Sequence, residues 1–294
     1  MTAIPFRRGR TDRGGRFLIP LVIVMGLTSI YPALYSVYMS LFDWNWGQRF
    51  NFVGLANYID LLTGEAFRNA LLNTFVFAVG AVSIELVLGL GLAVAVNRIE
   101  RGAQIFRTLL LVPLMVSGIT VALIWKILLD PTVGIVNYGI RALGVAPVGF
   151  LGDPALGMAS IIMIDMWWST AFVFIVMLAG LQGIPQEPLE AAVVDGASPV
   201  QSFRFVTLPL LRPLILVVLL FRTIDCLKVF AIIFGTTGGG PLRTTESVQV
   251  LAYRTAFKQL NMSESMTMMV IFGSIVAVVV LIYQRLGAAR GAEQ

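Results

Sequence analysis

The chain has 294 residues, of which 57% are hydrophobic and only 13% are charged. Soluble domains carry roughly 25% charged residues, so the composition excludes an ordinary soluble domain and indicates a multi-spanning membrane protein. The net charge is +5, and histidine is absent, which excludes histidine metal sites and histidine general bases. No basic cluster interleaved with aromatic residues occurs, so no nucleic-acid partner is predicted. The single cysteine, Cys226, excludes a disulfide within the chain.

Apolar segments long enough to cross a bilayer, about 20 residues each, occur six times along the chain. The sequence therefore predicts an all-α membrane protein with six transmembrane helices near 17–41, 69–96, 105–128, 156–180, 213–235 and 265–286. The first segment follows the basic stretch RRGRTDRGGR, but it is too long for a signal peptide and lacks a small-residue cleavage site. We expect a retained anchor and a single transmembrane domain, 17–286.

The distribution of lysine and arginine predicts the orientation of these helices. With the N-terminus in the cytoplasm, the inner segments hold twelve basic residues and the outer loops six, while three lie within spans. Basic residues concentrate on the cytoplasmic side of membrane proteins. We therefore expect a cytoplasmic N-terminal segment, 1–16, and a cytoplasmic tail, 287–294. The loop between spans four and five, 182–212, then faces the cytoplasm.

This cytoplasmic loop begins with GIPQEPLEAAVVDGASP. Good helix formers run up to Val194, and Ser198-Pro199 is typical of a helix N-cap with proline at the first helical position. The pattern predicts two short helices joined by a turn at Gly196. The first helix carries acids and no base, which disfavours contact with anionic lipid and favours docking to a protein.

The same loop carries a spaced motif: Glu-Ala-Ala, three residues, Gly, nine residues, an aliphatic residue, one residue and Leu-Pro. Its members are Glu190, Ala191, Ala192, Gly196, Val206, Leu208 and Pro209. The motif resembles the signature loop of permease subunits of binding-protein-dependent ABC importers, with Val206 where isoleucine is commonest. FVGLANYIDLL at 52–62, the stretch 111–140 and TGGGP at 237–241 extend the resemblance over nearly the whole chain, towards the carbohydrate-type, maltose-type first permease.

The resemblance implies a type I ABC importer permease, a multi-pass protein of the bacterial inner membrane without catalytic activity of its own. Its implied partners are a homologous second permease, two ATPase subunits, an extracytoplasmic substrate-binding protein, membrane lipid and an oligosaccharide, glycoside or polyol. ATP and magnesium are implied on the ATPase subunits, and no cofactor on this chain, where the Gly-Lys of a P-loop never occurs. The implied ATPase-coupling residues are Glu190, Ala191, Ala192, Asp195, Gly196, Leu208 and Pro209.

Charged residues at membrane depth cost at least ~2.5–3.5 kcal/mol on insertion scales, so each one requires an explanation. Arg222, Asp225 and Lys228 fall on one side of the fifth predicted helix, because they are spaced at i, i+3 and i+6. Two interpretations stay open. Arg222 and Asp225 form an internal ion pair that lets the helix insert, or the three residues line the translocation path.

The middle of span four holds Asp165, Trp167 and Trp168. An aromatic face beside a carboxylate suits a sugar, because the C–H face of the ring stacks and its hydroxyls bond to the acid. Simple packing is the alternative for both tryptophans. Glu85 in span two is expected to be a structural hydrogen-bonding partner. The substrate-path candidates are Asp165, Trp167, Trp168, Arg222, Asp225 and Lys228.

An ion-coupled secondary carrier is the main alternative function. Glu85, Asp165 and Asp225 would supply its coupling-ion site. Such carriers usually show repeated halves with broken helices, and no internal repeat is evident in this sequence. An intramembrane enzyme would require a Ser-Lys or paired-aspartate centre in the absence of histidine, and neither aspartate lies in a recognisable catalytic setting.

Overall fold

The computed structural model describes residues 14–46, 50–99 and 101–291. Residues 1–13 of the predicted N-terminal segment and 292–294 of the predicted tail lie outside the described residues. The helices in chain order are α1 (Gly14–Met25), α2 (Tyr31–Met39), α3 (Ala56–Thr63), α4 (Glu65–Asn97), α5 (Ala103–Leu111), α6 (Gly118–Leu128), α7 (Ile135–Ala142), α8 (Gly157–Gln182), α9 (Gln186–Val194), α10 (Pro199–Ser202), α11 (Leu208–Leu227), α12 (Ala231–Gly235), α13 (Val248–Phe257) and α14 (Met262–Gly291).

Four stretches of the described chain are long and apolar enough to cross a membrane: Leu18–Met39, Glu65–Asn97, Gly157–Gln182 and Met262–Gly287. They agree with the predicted first, second, fourth and sixth segments to within a few residues. The first runs through α1 and α2, which are joined by a π-helical turn at Gly26–Ile30. A fifth span results if the bent pair Ala103–Met115 and Gly118–Leu128 is taken as one.

The expectation of one continuous third helix at 105–128 is wrong, because its two halves meet at an angle of 96°. Pro113 has no N–H to give to the helix ladder, and the chain tightens there into a 3₁₀ turn, Val112–Met115. Val116 then adopts an extended conformation, with φ −92° and ψ 140°. The composition of the segment predicted an apolar helical stretch but not its break.

The predicted fifth helix at 213–235 is also divided. It consists of α11 and the short α12, which are separated at residues 228–230. The break exposes backbone groups, and Ser247 satisfies one of them by donating from Oγ to the carbonyl of Val229 at 3.0 Å. α11 has 20 residues and carries Arg212, Arg222 and Asp225, the highest density of charged residues among the long helices.

The expectation of an all-α protein missed a small hairpin. Strands β1 (Phe42–Trp44) and β2 (Phe50–Phe52) pair antiparallel, with Asp43 opposite Asn51. The backbone N–H of Trp44 donates to Ser263 Oγ at 2.8 Å, which ties the hairpin to the start of α14. Strands of three residues carry too little alternation to be recognised from sequence.

The core lies where α4, α8 and α11 pack together. α4 and α8 share the most extensive contact, and they approach closely at Gly89, where an added Cβ would lie 2.6 Å from Val173 Cβ. Small residues allow such close approach between membrane helices. The fully buried side chains Phe77, Phe174 and Met177 fill the space around this contact. The three helices therefore form a frame around the polar groups that face inward.

Candidate functional site

Three buried charged residues form one cluster across these three helices: Glu85, Asp165 and Arg222. Arg222 on α11 donates from Nε to Glu85 Oε2 at 2.6 Å and from Nη2 to Glu85 Oε1 at 2.9 Å. The same Nη2 donates to Asp165 Oδ2 on α8 at 2.9 Å. Glu85 is 0% exposed, Asp165 5% and Arg222 6%. A buried charge requires a partner, and here one guanidinium serves two carboxylates.

Asp225 is a weaker partner of Arg222 than Glu85 and Asp165, so the ion pair that was one of the two open interpretations is present only as a long contact. Its carboxylate lies 3.7 Å from Arg222 Nη1, and its side chain is 60% exposed. The expectation that Glu85 is a structural partner agrees with this geometry. The sequence did not reveal that Arg222 is the basic partner of Glu85, because the two residues are 137 positions apart.

Cys226 completes the cluster. Its sulfur lies 3.3 Å from Arg222 Nη2 and 3.8 Å from Asp165 Oδ2. Glu85, Asp165 and Cys226 bring three possible metal-ligand atoms within 4.8 Å of one another. Arg222 nevertheless contacts all three groups and supplies the positive charge at this point. The donor set is therefore that of a buried ion pair rather than a metal centre.

A cavity of about 520 Å³ opens beside this cluster. Five of the six predicted substrate-path residues line it: Asp165, Trp168, Arg222, Asp225 and Lys228. Phe172 and Phe230 add aromatic surface. Small-molecule sites typically have volumes of roughly 300–1,000 Å³ and combine apolar walls with a few polar groups. The cavity has both properties.

The two tryptophans of span four have different surroundings. Trp168 lies in the cavity wall and donates from Nε1 to the carbonyl of Val116 at 3.0 Å. Trp167 does not line the cavity. It is 42% exposed and packs edge-on against Trp125, with ring centroids 5.6 Å apart. The structure therefore brings only Trp168 together with the carboxylates.

Residues at the breaks of both divided helices line the cavity. Leu114 belongs to the turn after α5, while Lys228, Val229 and Phe230 form the gap between α11 and α12. Beyond the breaks, α6 and α12 pack on each other, and an added Cβ at Gly235 would lie 2.6 Å from Ala122 Cβ. The cavity is therefore bordered by non-helical backbone, which membrane proteins tolerate at depth where it is buried or lines a cavity.

The predicted cytoplasmic loop has the expected local structure. α9 covers the Glu-Ala-Ala motif, and Gly196 follows it with φ +78°, a conformation that glycine adopts without strain. Ser198 caps α10: its hydroxyl accepts from the N–H of Gln201 at 3.4 Å, and its own N–H donates to Gln201 Oε1 at 2.8 Å. This reciprocal arrangement is a capping box, with Pro199 at the first helical position.

The surface of this loop combines acids with apolar side chains. Glu190, Ala191, Asp195 and Gly196 are exposed, whereas Ala192 is buried against the chain, and Leu208 and Pro209 are half-buried at the start of α11. Val193, Val194 and Val200 are 70%, 85% and 74% exposed. Clustered exposed apolar side chains mark interaction surfaces. We call residues 186–200 the docking loop.

Comparison with known proteins places this geometry in a family. Residues 85–290 match the family described as binding-protein-dependent transport system inner membrane component. The trehalose/maltose transport system permease protein MalF of Thermococcus litoralis is 38% identical over 241 residues, which cover 82% of each chain. The sn-glycerol-3-phosphate permease protein UgpA of Agrobacterium fabrum is 32% identical over 263 residues, covering 87% of this chain and 88% of that protein.

The fold is also similar to that of a chain in a solved structure. That structure is a bacterial alginate ABC transporter in complex with an alginate pentasaccharide-bound periplasmic protein. The TM-score is 0.81 at 23% identity, and the match covers 93% of this chain and 94% of the other. The resemblance inferred from the Glu-Ala-Ala loop is therefore confirmed at the level of the family. This chain belongs to the inner-membrane permease components of binding-protein-dependent transport systems.

Proposed function

We propose that this chain forms half of the translocation pathway of an ATP-driven carbohydrate importer, paired with a homologous second permease. Separate ATPase subunits bind the docking loop, and an extracytoplasmic binding protein delivers the solute. The observation that carries the proposal is the coexistence of an exposed acidic docking loop and a cavity with a tryptophan beside carboxylates. Relatives named for trehalose, maltose and glycerol phosphate support the carbohydrate class.

In this proposal the bent α5–α6 pair and the divided α11–α12 pair complete a set of six spans. Both termini and the docking loop lie in the cytoplasm. ATP and magnesium bind the ATPase subunits, and this chain holds no cofactor. Closure of the ATPase subunits draws the docking loops together, and the frame of α4, α8 and α11 then changes from inward-open to outward-open. Such a change requires a partner that binds the two states with different affinity.

The secondary-carrier alternative receives no support from the cluster geometry. Two of the three carboxylates considered for a coupling ion, Glu85 and Asp165, are bonded to Arg222. Only Asp225 keeps an exposed carboxylate. A coupling-ion site built from these three residues would first have to displace a bidentate guanidinium, which is among the stronger ionic contacts in proteins.

The test of the proposal is charge reversal on the docking loop. An acid on a docking surface is expected to meet a cation, so Glu190→Lys introduces repulsion. We expect the variant to insert normally, but to lose most of the ATPase subunit during copurification and most ATP-driven uptake in proteoliposomes. Asp60→Lys, at an exposed acid of α3, is the matched control. Wild-type recovery of the ATPase together with wild-type uptake would remove Glu190 from the coupling surface.

A further inference from the structure

Membership of the family leaves the charge of the transported solute open. One similar protein is named for trehalose and maltose, which are uncharged, and another for glycerol 3-phosphate, which is an anion. The alginate of the solved transporter is an anionic polymer. The walls of the cavity can decide this question for the present chain, and the argument rests on the proposed import function.

The charges of the cavity wall cancel. Two acids, Asp165 and Asp225, and two bases, Arg222 and Lys228, line it. Glu85 lies directly behind Arg222 and adds a third carboxyl group to the cluster. The wall is therefore neutral when Glu85 carries a proton and negative by one charge when it does not. Neither state offers the surplus of positive charge that steers and holds an anion.

Arg222 is also unavailable for bidentate recognition of an anion. Its Nε and Nη2 donate to Glu85 and Asp165, and Nη1 has only the long contact to Asp225 Oδ2, at 3.7 Å. A phosphate or carboxylate is held best when two parallel N–H groups of one guanidinium reach it. To gain that geometry, an anionic solute would have to displace a buried carboxylate and leave it unpaired, which is strongly unfavourable.

The exposed wall group nearest to Arg222 is an acid. Asp225 has a 60% exposed carboxylate, and Lys228 lies three residues further along the same chain at the end of α11. An anion that approaches Lys228 therefore also meets Asp225. A hydroxyl group, in contrast, can donate to Asp225 and accept from Lys228 or from Arg222 Nη1.

The remaining wall suits the apolar faces of a sugar ring. Trp168, Phe172 and Phe230 supply aromatic surface, and the ring of Trp168 is fixed by its bond to Val116. We infer that the cavity selects an uncharged polyhydroxylated solute and excludes anionic ones, with Asp225 as the specificity-determining carboxylate. Its volume of about 520 Å³ fits a small oligosaccharide or glycoside rather than a long polymer.

The test measures solute binding to the assembled transporter without its binding protein, because the binding protein makes its own selection. Saturation-transfer difference NMR detects weak binding to the detergent-solubilised complex of both permeases and the ATPases. The probes are maltose and sn-glycerol 3-phosphate at equal concentrations. We expect a maltose signal and no glycerol phosphate signal from the wild type. Asp225→Asn should weaken the maltose signal roughly tenfold, the value of a hydrogen bond to a charged group, and allow glycerol phosphate to bind.

Asp153→Asn is the control, since it removes an exposed acid outside the cavity. Glycerol phosphate binding to the wild type at the level of maltose would overturn the inference, as would an Asp225→Asn variant indistinguishable from Asp153→Asn. A transporting complex that binds neither probe would overturn it too, because the cavity would then not be the solute site. ATP-driven uptake in proteoliposomes with the binding protein is measured in parallel, and its complete absence would count against the proposed function instead.

Discussion

Removal of the Arg222 guanidinium is expected to be the most damaging single change in the described core. Arg222→Met keeps a long apolar side chain but leaves Glu85 and Asp165 without a cation, at 0% and 5% exposure. Three charge-assisted hydrogen bonds disappear, at 2.6, 2.9 and 2.9 Å. Breaking a buried ion pair by removal of one partner costs about 3–5 kcal/mol, because the other charge stays buried and unpaired.

Smaller losses are expected when the remaining charges still balance. Glu85→Gln leaves Arg222 paired with Asp165, so we expect a loss of about 1.5–3 kcal/mol, the value of a hydrogen bond to a charged group. Asp225→Asn should cost no more than the roughly 0.5 kcal/mol of an ordinary exposed substitution. The double variant Glu85→Gln/Arg222→Met should recover part of the loss of Arg222→Met, since one of the two unpaired acids is then neutral.

The assay is the midpoint temperature at which the purified complex loses its monodisperse size-exclusion peak. Arg212→Met, at an exposed arginine of the same helix, is the matched control. We expect midpoints to fall in the order Asp225→Asn, Glu85→Gln, Arg222→Met. The reasoning would be refuted if Arg222→Met behaved like Arg212→Met, or if Asp225→Asn were as damaging as Glu85→Gln.

Two further predictions concern the docking loop and the membrane topology. Gly196→Val places a branched side chain at φ +78°, which costs about 1–3 kcal/mol, so ATPase copurification should fall. Gly196→Asn should keep normal copurification, because asparagine tolerates this conformation. Equal yields from the two variants would contradict the role of Gly196 in the turn. Gln104→Cys and Leu143→Cys introduce thiols at exposed positions outside the docking loop, and Cys226 is buried. A membrane-impermeant maleimide should label Leu143→Cys in intact spheroplasts and Gln104→Cys only in inverted vesicles; the opposite pattern would reverse the orientation.

Local chemistry made much of the fold predictable from the sequence. The stretches containing α4, α8 and α14 are long apolar runs, and their bounds differ from the predicted ones by only a few residues. Ser198 and Pro199 predicted the start of α10, and Gly196 predicted the turn before it. Each of these features depends on residues within one or two helical turns, so a single segment contains the whole signal.

Long-range pairing was not predictable in the same way. The sequence offered Asp225 as the partner of Arg222, because i, i+3 neighbours are the only contacts that spacing reveals. The closer partners, Glu85 and Asp165, are 137 and 57 positions away. The helix breaks were missed for a related reason. Whether a membrane helix can break depends on what neighbouring elements do for the freed backbone groups, and Ser247 does this for Val229 from another part of the chain.

The wide sequence separation within the Arg222 cluster has a consequence for biosynthesis. Chains grow from the N-terminus at roughly 5–20 residues per second, so Glu85 is made about 7–27 s before Arg222, which lies 137 positions later. During that interval α4, and later α8, must reside at the translocon or in the bilayer with an acid that has no cation. The frame of α4, α8 and α11 can therefore close only after α11 has emerged. A ribosome that stalls before Arg222 leaves two acid-bearing helices that quality-control proteases can recognise as unfinished.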